Sequence, residues 1–119
     1  MTTLQTMVDA YIRAVYFTET GDTDQPSGDA ELTDLFKAHA YLQCRQFYWA
    51  VTDDLCVPRL QIHWSQVGHD LWLTRNGHGA GFWDRSDDAY GEGPNGEQLK
   101  IIFTAMAKAM GPHDAEWKK

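Results

Sequence analysis

Cysteine is scarce in this 119-residue chain. Only Cys44 and Cys56 are present, and they lie twelve positions apart, without the Cys-x-x-Cys spacing of redox or zinc sites. We therefore expect two reduced thiols of a cytosolic protein rather than a disulfide framework. A basic-then-apolar leader is also lacking, which argues against secretion, and no apolar run approaches the roughly 20 residues that span a bilayer. These shortages predict a cytoplasmic protein with no membrane contact.

Basic residues are the next shortage. Lys and Arg number 10 against 17 Asp and Glu, for a formal charge of −7, and phosphate neutralisation needs a surplus of cations on some face. Direct nucleic-acid binding is therefore not expected. Twelve of the acids form two groups: Asp9, Glu19, Asp22, Asp24, Asp29, Glu31 and Asp34 against Arg13, and Asp84, Asp87, Asp88, Glu92 and Glu97 against Arg85. Such surfaces either keep a protein soluble or dock on a basic groove of a partner.

Apolar residues are plentiful enough for one core. They make up 43% of the chain, and aromatic residues make up 13%, including five tryptophans. This content argues against disorder. The length is that of a single domain, and we take residues 1–119 as one.

Helical periodicity recurs in three segments. Apolar residues at helical spacing predict helices over about residues 3–18, 33–51 and 97–110. The last helix is expected to end at Gly111-Pro112, a typical C-terminal signal. The residues that follow, 113–119, are expected to form either a short edge strand or a frayed tail.

The first two helices have more than one possible N-cap. Thr2 or Thr3 could cap the first, and Asp29 or Thr33 the second. The second helix is expected to carry its apolar side toward the core, and that side consists of Leu32, Leu35, Phe36, His39, Leu42 and Trp49.

Residues 68–85 carry the strongest strand signal. Two runs rich in aromatic and aliphatic residues flank Asn76-Gly77-His78-Gly79, and Asn-Gly between such runs is typical of a hairpin turn because both residues tolerate positive φ. If Asn76–Gly79 is the loop, the expected cross-strand pairs are Trp72 with Trp83, Leu73 with Phe82, and Asp70 with Arg85. A tighter Asn76-Gly77 turn would shift the register by two and leave the faces unchanged. The predicted fold class is therefore α+β: a small single domain in α-α-β-β-α order, with a central antiparallel β-hairpin packed by helices.

Few residues form a recognisable catalytic or metal-binding pattern. The five histidines show no His-x-x-x-His spacing, so neither a metal nor another cofactor is expected. We interpret Cys44 and Cys56 as inert buried thiols and His39 as a core histidine. The side chains that could support acid–base chemistry are His69, Asp70, His78 and Asp84. A small enzyme built on the first three of these is one alternative.

The string GHDLWLTRNGHGAGFWDR, residues 68–85, resembles a family of small uncharacterised phage and prophage proteins. The opening segment from Tyr11 to Gly21 is similar too, and the two together cover roughly a quarter of the chain. The resemblance implies a mobile-element origin and an α+β fold with the hairpin central, and it brings no catalytic residues. Family members continue past the last helix into an acidic, β-like segment, which is reduced here to residues 112–117.

This context points to an anti-defence protein of a phage or mobile element that binds and blocks a host complex, a CRISPR–Cas effector, through its acidic surfaces. The protein is expected to act as a monomer or homodimer. The predicted partner-binding residues are Asp22, Asp24, Asp29, Asp87, Asp88 and Glu92 in the acidic stretches, with Arg75, Asn76 and His78 exposed at the hairpin tip. The alternative is a phage accessory protein that binds single-stranded nucleic acid through Trp72, Trp83, Arg75 and Arg85.

Overall fold

The predicted α+β class is wrong, because the chain folds as a set of helices. The computed structural model describes residues 2–20, 31–55, 57, 62–77, 81–82 and 96–118. Within these ranges it contains no β-strand, and α2 continues directly into a π-helical segment, Ala50–Asp54. The four α-helices are α1 (Thr3–Thr20), α2 (Asp34–Trp49), α3 (Trp64–Arg75) and α4 (Gly96–Met110). None of the helices in the described residues is both long and apolar enough to cross a membrane.

Side-chain caps fix the start of the first two helices. The Thr2 hydroxyl accepts a hydrogen bond from the Gln5 amide at 3.0 Å, and the Thr33 hydroxyl accepts one from the Phe36 amide at 3.1 Å. Each bond satisfies an amide that has no partner within its helix. Of the alternatives left open by the sequence, Thr2 and Thr33 are therefore the caps.

The chain after α4 returns as an extended segment across α1 and α2. Gly111 ends the helix with φ of +77°, the left-handed conformation that glycine adopts without steric cost. Further on, Trp117 forms an isolated antiparallel bridge with Leu32, and the Thr33 amide donates to the Glu116 carbonyl at 2.8 Å. The sequence left either an edge strand or a frayed tail open for these residues. The structure shows an extended segment that these contacts hold against the helices.

The expected hairpin is replaced by helix α3 and its C-terminal cap. Residues 68–75 belong to α3, and Asn76-Gly77 ends that helix rather than turning a hairpin. Gly77 has φ of +66°, while the Asn76 amide donates to the Trp72 carbonyl at 3.3 Å. An Asn-Gly pair suits a helix end for the same reason that it suits a hairpin turn, since both require positive φ.

The expected cross-strand register disappears with the hairpin. Trp83 and Arg85 lie outside the described residues, so their pairing has no structural account. Phe82 does return to this part of the molecule, but its amide donates to the Thr74 hydroxyl at 3.2 Å. The ring of Phe82 stacks on Phe47 of α2 with centroids 5.9 Å apart, and both rings lie edge-on to Phe103 of α4 at 5.4 Å.

The contact between α1 and α3 is the most extensive between any two helices. Gly68 makes it possible, because a Cβ built there would lie 2.1 Å from the Met7 carbonyl oxygen. Trp72 is fully buried beside this contact. Its indole nitrogen donates to the Thr18 hydroxyl at 2.7 Å, and its ring lies edge-on to Tyr11 at 5.6 Å. This packing places α3 in the centre of the core.

Helix α2 buries only part of the side that the sequence predicts. Phe36 is buried as expected, together with Leu32 just before the helix. His39 is exposed, so its interpretation as a core histidine is wrong. Three further apolar members of the expected side are also exposed: Leu35, Leu42 and Trp49. The residues that α2 does bury are Phe36, Ala40, Cys44, Phe47 and Tyr48.

Candidate functional site

A polar cluster lies inside the core where α1, α3 and the C-terminal segment meet. Arg75, at the end of α3, is only 7% exposed. Its Nε donates to the Gly111 carbonyl at 2.8 Å, and its Nη1 donates to the Tyr11 hydroxyl at 3.0 Å. The expectation that Arg75 is exposed at a hairpin tip is therefore wrong. Helical geometry turns this side chain inward, toward α1 and the returning chain.

Tyr11 and His113 extend the cluster toward the surface. The Tyr11 oxygen lies 2.7 Å from Nδ1 of His113. Since this oxygen already accepts from Arg75, the phenol can donate its own proton to Nδ1, which assigns the imidazole proton to Nε2. The imidazole also stacks on Phe36, with centroids 4.5 Å apart and planes 19° from parallel. His113 is half-buried and is the most solvent-accessible of the three.

Burial determines the charge of Tyr11 and His113 in the cluster, and of Cys44 on α2, but not that of the Arg75 guanidinium. It raises the pKa of Tyr11 far above its usual value, although Arg75 acts in the opposite direction. Burial also raises the pKa of the Cys44 thiol to about 12, and it lowers that of His113 to about 4, with Arg75 adding to the effect. At neutral pH the phenol, the thiol and the imidazole are all uncharged.

The cluster therefore carries one buried cation and no activated nucleophile. Cys44 is fully buried and protonated, so it has neither the access nor the thiolate that reactivity requires. Among the described residues no carboxylate forms an ion pair with Arg75. Its charge is instead stabilised by the oxygens of Tyr11 and Gly111. The arrangement locks the C-terminal segment onto the helices.

Asn76 also holds the C-terminal segment against α3. Its side-chain nitrogen donates to the Trp72 carbonyl at 3.1 Å, and its side-chain oxygen accepts from the His113 amide at 3.1 Å. Sequence reasoning selected Arg75 and Asn76 but placed them at a tip. Tyr11 and His113 were missed as site residues, because partners about 100 positions apart leave no local pattern.

The candidate acid–base group is only partly assembled in the described residues. His69 and Asp70 are neighbours on α3, with Nδ1 and Oδ1 3.2 Å apart. Asp70 is fully buried and also accepts from Gln66 at 2.9 Å. His78, the third member, lies outside the described residues. No cluster of three or more metal-binding side chains occurs in the described ranges, so no metal position can be assigned within them.

The described residues on which the nucleic-acid alternative depends are buried in the core. Trp72 is fully buried and Arg75 almost so, which prevents either from meeting a base or a phosphate. The remaining predicted binding residues lie outside the described part of the chain: Asp22, Asp24, Asp29, Asp87, Asp88, Glu92 and His78, together with Trp83 and Arg85.

The exposed side of α2 forms a second candidate site, of a different kind. Leu35, Leu42 and Trp49 are 57%, 53% and 48% exposed, and their seven-residue spacing places them in one row along the helix. We call these three residues the α2 apolar row. Acidic side chains lie at both of its ends: Asp34, 91% exposed, at the start, and the exposed Asp53 and Asp54 of the π-helical segment at the finish.

The α2 apolar row was missed because the sequence assigned the same residues to the core. A signal was present, since α2 has apolar residues on two sides and only one of them can face a single layer of neighbouring helices. Comparison of the chain with protein-family models, with curated proteins and with solved structures finds no match in any of the three. The function must therefore be inferred from the geometry of these two sites.

Proposed function

We propose that this protein is an anti-defence protein of a phage or mobile element, which binds a host CRISPR–Cas effector and blocks it without catalysing a reaction. The observation that carries the proposal is the α2 apolar row with acidic side chains at both ends. Large apolar side chains that are desolvated at the centre of an interface supply most of its binding free energy. Acidic groups around them select a basic partner and accelerate encounter.

The charge of the whole chain agrees with a basic partner. Its formal charge is −7, and a surface potential of one sign steers association with a surface of the opposite sign. CRISPR effectors hold their nucleic acids in positively charged channels. A compact acidic protein can occupy such a channel in place of phosphates, with Leu42 and Trp49 packing against its apolar wall.

The buried cluster favours binding over catalysis. Tyr11, Cys44 and His113 are held in their neutral forms, and the first two are closed to solvent. Catalytic groups need pKa values near the working pH and access to substrate. The cluster instead gives the binding surface a fixed scaffold, because it ties the C-terminal segment to α1 and α3.

The test combines phage plating with co-purification in a host that carries an active CRISPR–Cas system. We expect the tagged protein to restore plating of a targeted phage and to retain Cas subunits at fixed stoichiometry. Leu42→Glu and Trp49→Glu should abolish both effects. Ile101→Glu is the matched control, because Ile101 is 65% exposed on α4 and the substitution adds the same charge away from the α2 apolar row.

The acidic contribution is tested separately. Charge reversal of Asp53 and Asp54, and of Asp87 and Asp88, should weaken inhibition, and the loss should shrink as ionic strength rises, because salt screens the charges that the substitutions reverse. If the two α2 variants inhibit as well as the wild-type protein does, the proposed surface is wrong. If no Cas subunit is retained and plating is unchanged, the proposed function is wrong.

A further inference from the structure

An open groove lies between α1 and α2, on a side of α2 distinct from the apolar row. Its volume is about 450 Å³, within the range of small-molecule sites. Helix α1 supplies most of the lining, and α2 contributes Lys37. The groove therefore combines one continuous helical wall with a single cationic side chain on the opposite wall.

Two cationic side chains of this groove have no partner among the described residues. Arg13 and Lys37 are both exposed and line the groove, and neither side chain forms a hydrogen bond or ion pair with any described residue. Asp9 also lines the groove, but its Oδ1 accepts from Gln5 at 2.9 Å. Two such cations in one groove are unexpected in a chain with a formal charge of −7, and together with Asp9 they give the described lining of the groove a surplus of positive charge.

The floor beneath these cations is apolar and held in place. Val8 is buried, and Ile12 and Tyr16 are half-buried against the core. The Tyr16 ring packs on Trp117 at 5.6 Å, and its hydroxyl accepts from the Leu32 amide at 3.4 Å. An aromatic floor fixed on its far side presents a preformed surface to a flat or aliphatic group.

We propose that this groove binds a small organic anion, with its anionic group between Arg13 and Lys37 and its apolar body on Val8, Ile12 and Tyr16. A carboxylate matches the two donors of a guanidinium and adds a charge-assisted bond to the ammonium. Asp9 sets the selectivity, because it repels a second negative charge on the ligand. The proposal is independent of the anti-defence function, since it uses none of the residues of the α2 apolar row.

The probe for this site is 2-naphthoate, a flat aromatic carboxylate, and its neutral counterpart is 2-naphthamide. Titrations followed by amide chemical shifts should place 2-naphthoate against α1 and the start of α2. We expect 2-naphthamide to bind at least about tenfold more weakly, and the double variant Arg13→Gln with Lys37→Gln to lose about the same factor for 2-naphthoate only. Arg45→Gln is the matched control, because Arg45 is exposed on α2 outside the groove.

Two outcomes of the affinity measurements would overturn the proposal. One is equal affinity for the acid and the amide, which would mean that the cations do not select the ligand. The other is unchanged 2-naphthoate affinity in the double variant while its circular dichroism and melting temperature match those of Arg45→Gln. Shifts confined to Leu42 and Trp49 would likewise place the probe on the α2 apolar row instead of the groove.

Discussion

Gly68→Ala tests the central feature of the fold, which is the close approach of α1 and α3. The added Cβ would lie 2.1 Å from the Met7 carbonyl oxygen, 3.0 Å from its carbonyl carbon and 3.2 Å from its Cα. All three atoms belong to the backbone of α1, so no side chain can rotate away from the new methyl group. The two helices must move apart by about 1 Å for van der Waals contact to be restored.

Two opposing effects set the magnitude. Alanine is favoured over glycine within a helix by about 1 kcal/mol. Overpacking a well-packed core costs about 1–3 kcal/mol or more, and here it also loosens contacts of the fully buried Tyr11, Leu71 and Trp72. Because the clash is with backbone, we take the upper end of that range, which leaves a net loss of about 2 kcal/mol in the free energy of unfolding.

The measurement is urea unfolding, followed by far-UV circular dichroism and by tryptophan fluorescence. Ser65→Ala is the control, because Ser65 is exposed on the same helix and its replacement should change stability by at most about 0.5 kcal/mol. The predicted hairpin gives a different result, since an alanine at the start of a strand meets no helix. A Gly68→Ala protein as stable as the wild type would refute the α1–α3 packing.

Three further predictions concern the buried polar cluster. Because the pKa of His113 falls from 6.5 to about 4 on folding, the unfolded chain takes up its proton first as the pH drops. The stability of the wild type relative to His113→Gln should therefore decrease by about 1–2 kcal/mol between these two pH values, allowing for screening at a half-buried ring; no pH dependence in that difference would contradict this. In a Cys56→Ser protein, Cys44 should react with a thiol reagent only at the rate of unfolding, whereas reaction as fast as that of a free thiol would show it to be accessible. Arg75→Met should cost about 2 kcal/mol in urea unfolding, because it removes the donor of the buried Tyr11 oxygen and of the partly buried Gly111 carbonyl, while Arg45→Met on the exposed side of α2 should change little.

The helices outside the central segment were predictable because their signals are local. A row of apolar residues at helical spacing indicates α1 wherever its neighbours lie. The threonine caps and Gly111-Pro112 act within one turn of the residues that they terminate. The observed bounds, Thr3–Thr20, Asp34–Trp49 and Gly96–Met110, lie within a few residues of the expected ones.

The central segment could not be predicted in the same way, because burial hides its period. Nine of the twelve residues of α3 are buried, including Asp70, Thr74 and Arg75. The polar face of α3 is reduced to Ser65, Gln66 and His69, and the mostly apolar run that follows cannot be distinguished from a buried strand by periodicity. The Asn76-Gly77 pair then led to the wrong prediction. Such a pair indicates positive φ, but it does not indicate whether a helix or a strand precedes it.

The candidate sites depended on the same missing information. An arginine after an aromatic run is solvent-exposed at a hairpin tip but faces inward at the end of a buried helix, so the error in secondary structure moved Arg75 from the surface to the core. The reverse happened in α2, where Leu42 and Trp49 were assigned to the core because they are apolar. Helix α1 packs on the buried side of α2, and Phe36 on that side meets Trp72 of α3, whereas Leu42 and Trp49 remain exposed in the described part of the structure. An exposed apolar row on one helix face is the kind of surface through which proteins bind partners, and for this reason the proposed function rests on α2 and not on the segment with the stronger sequence signal.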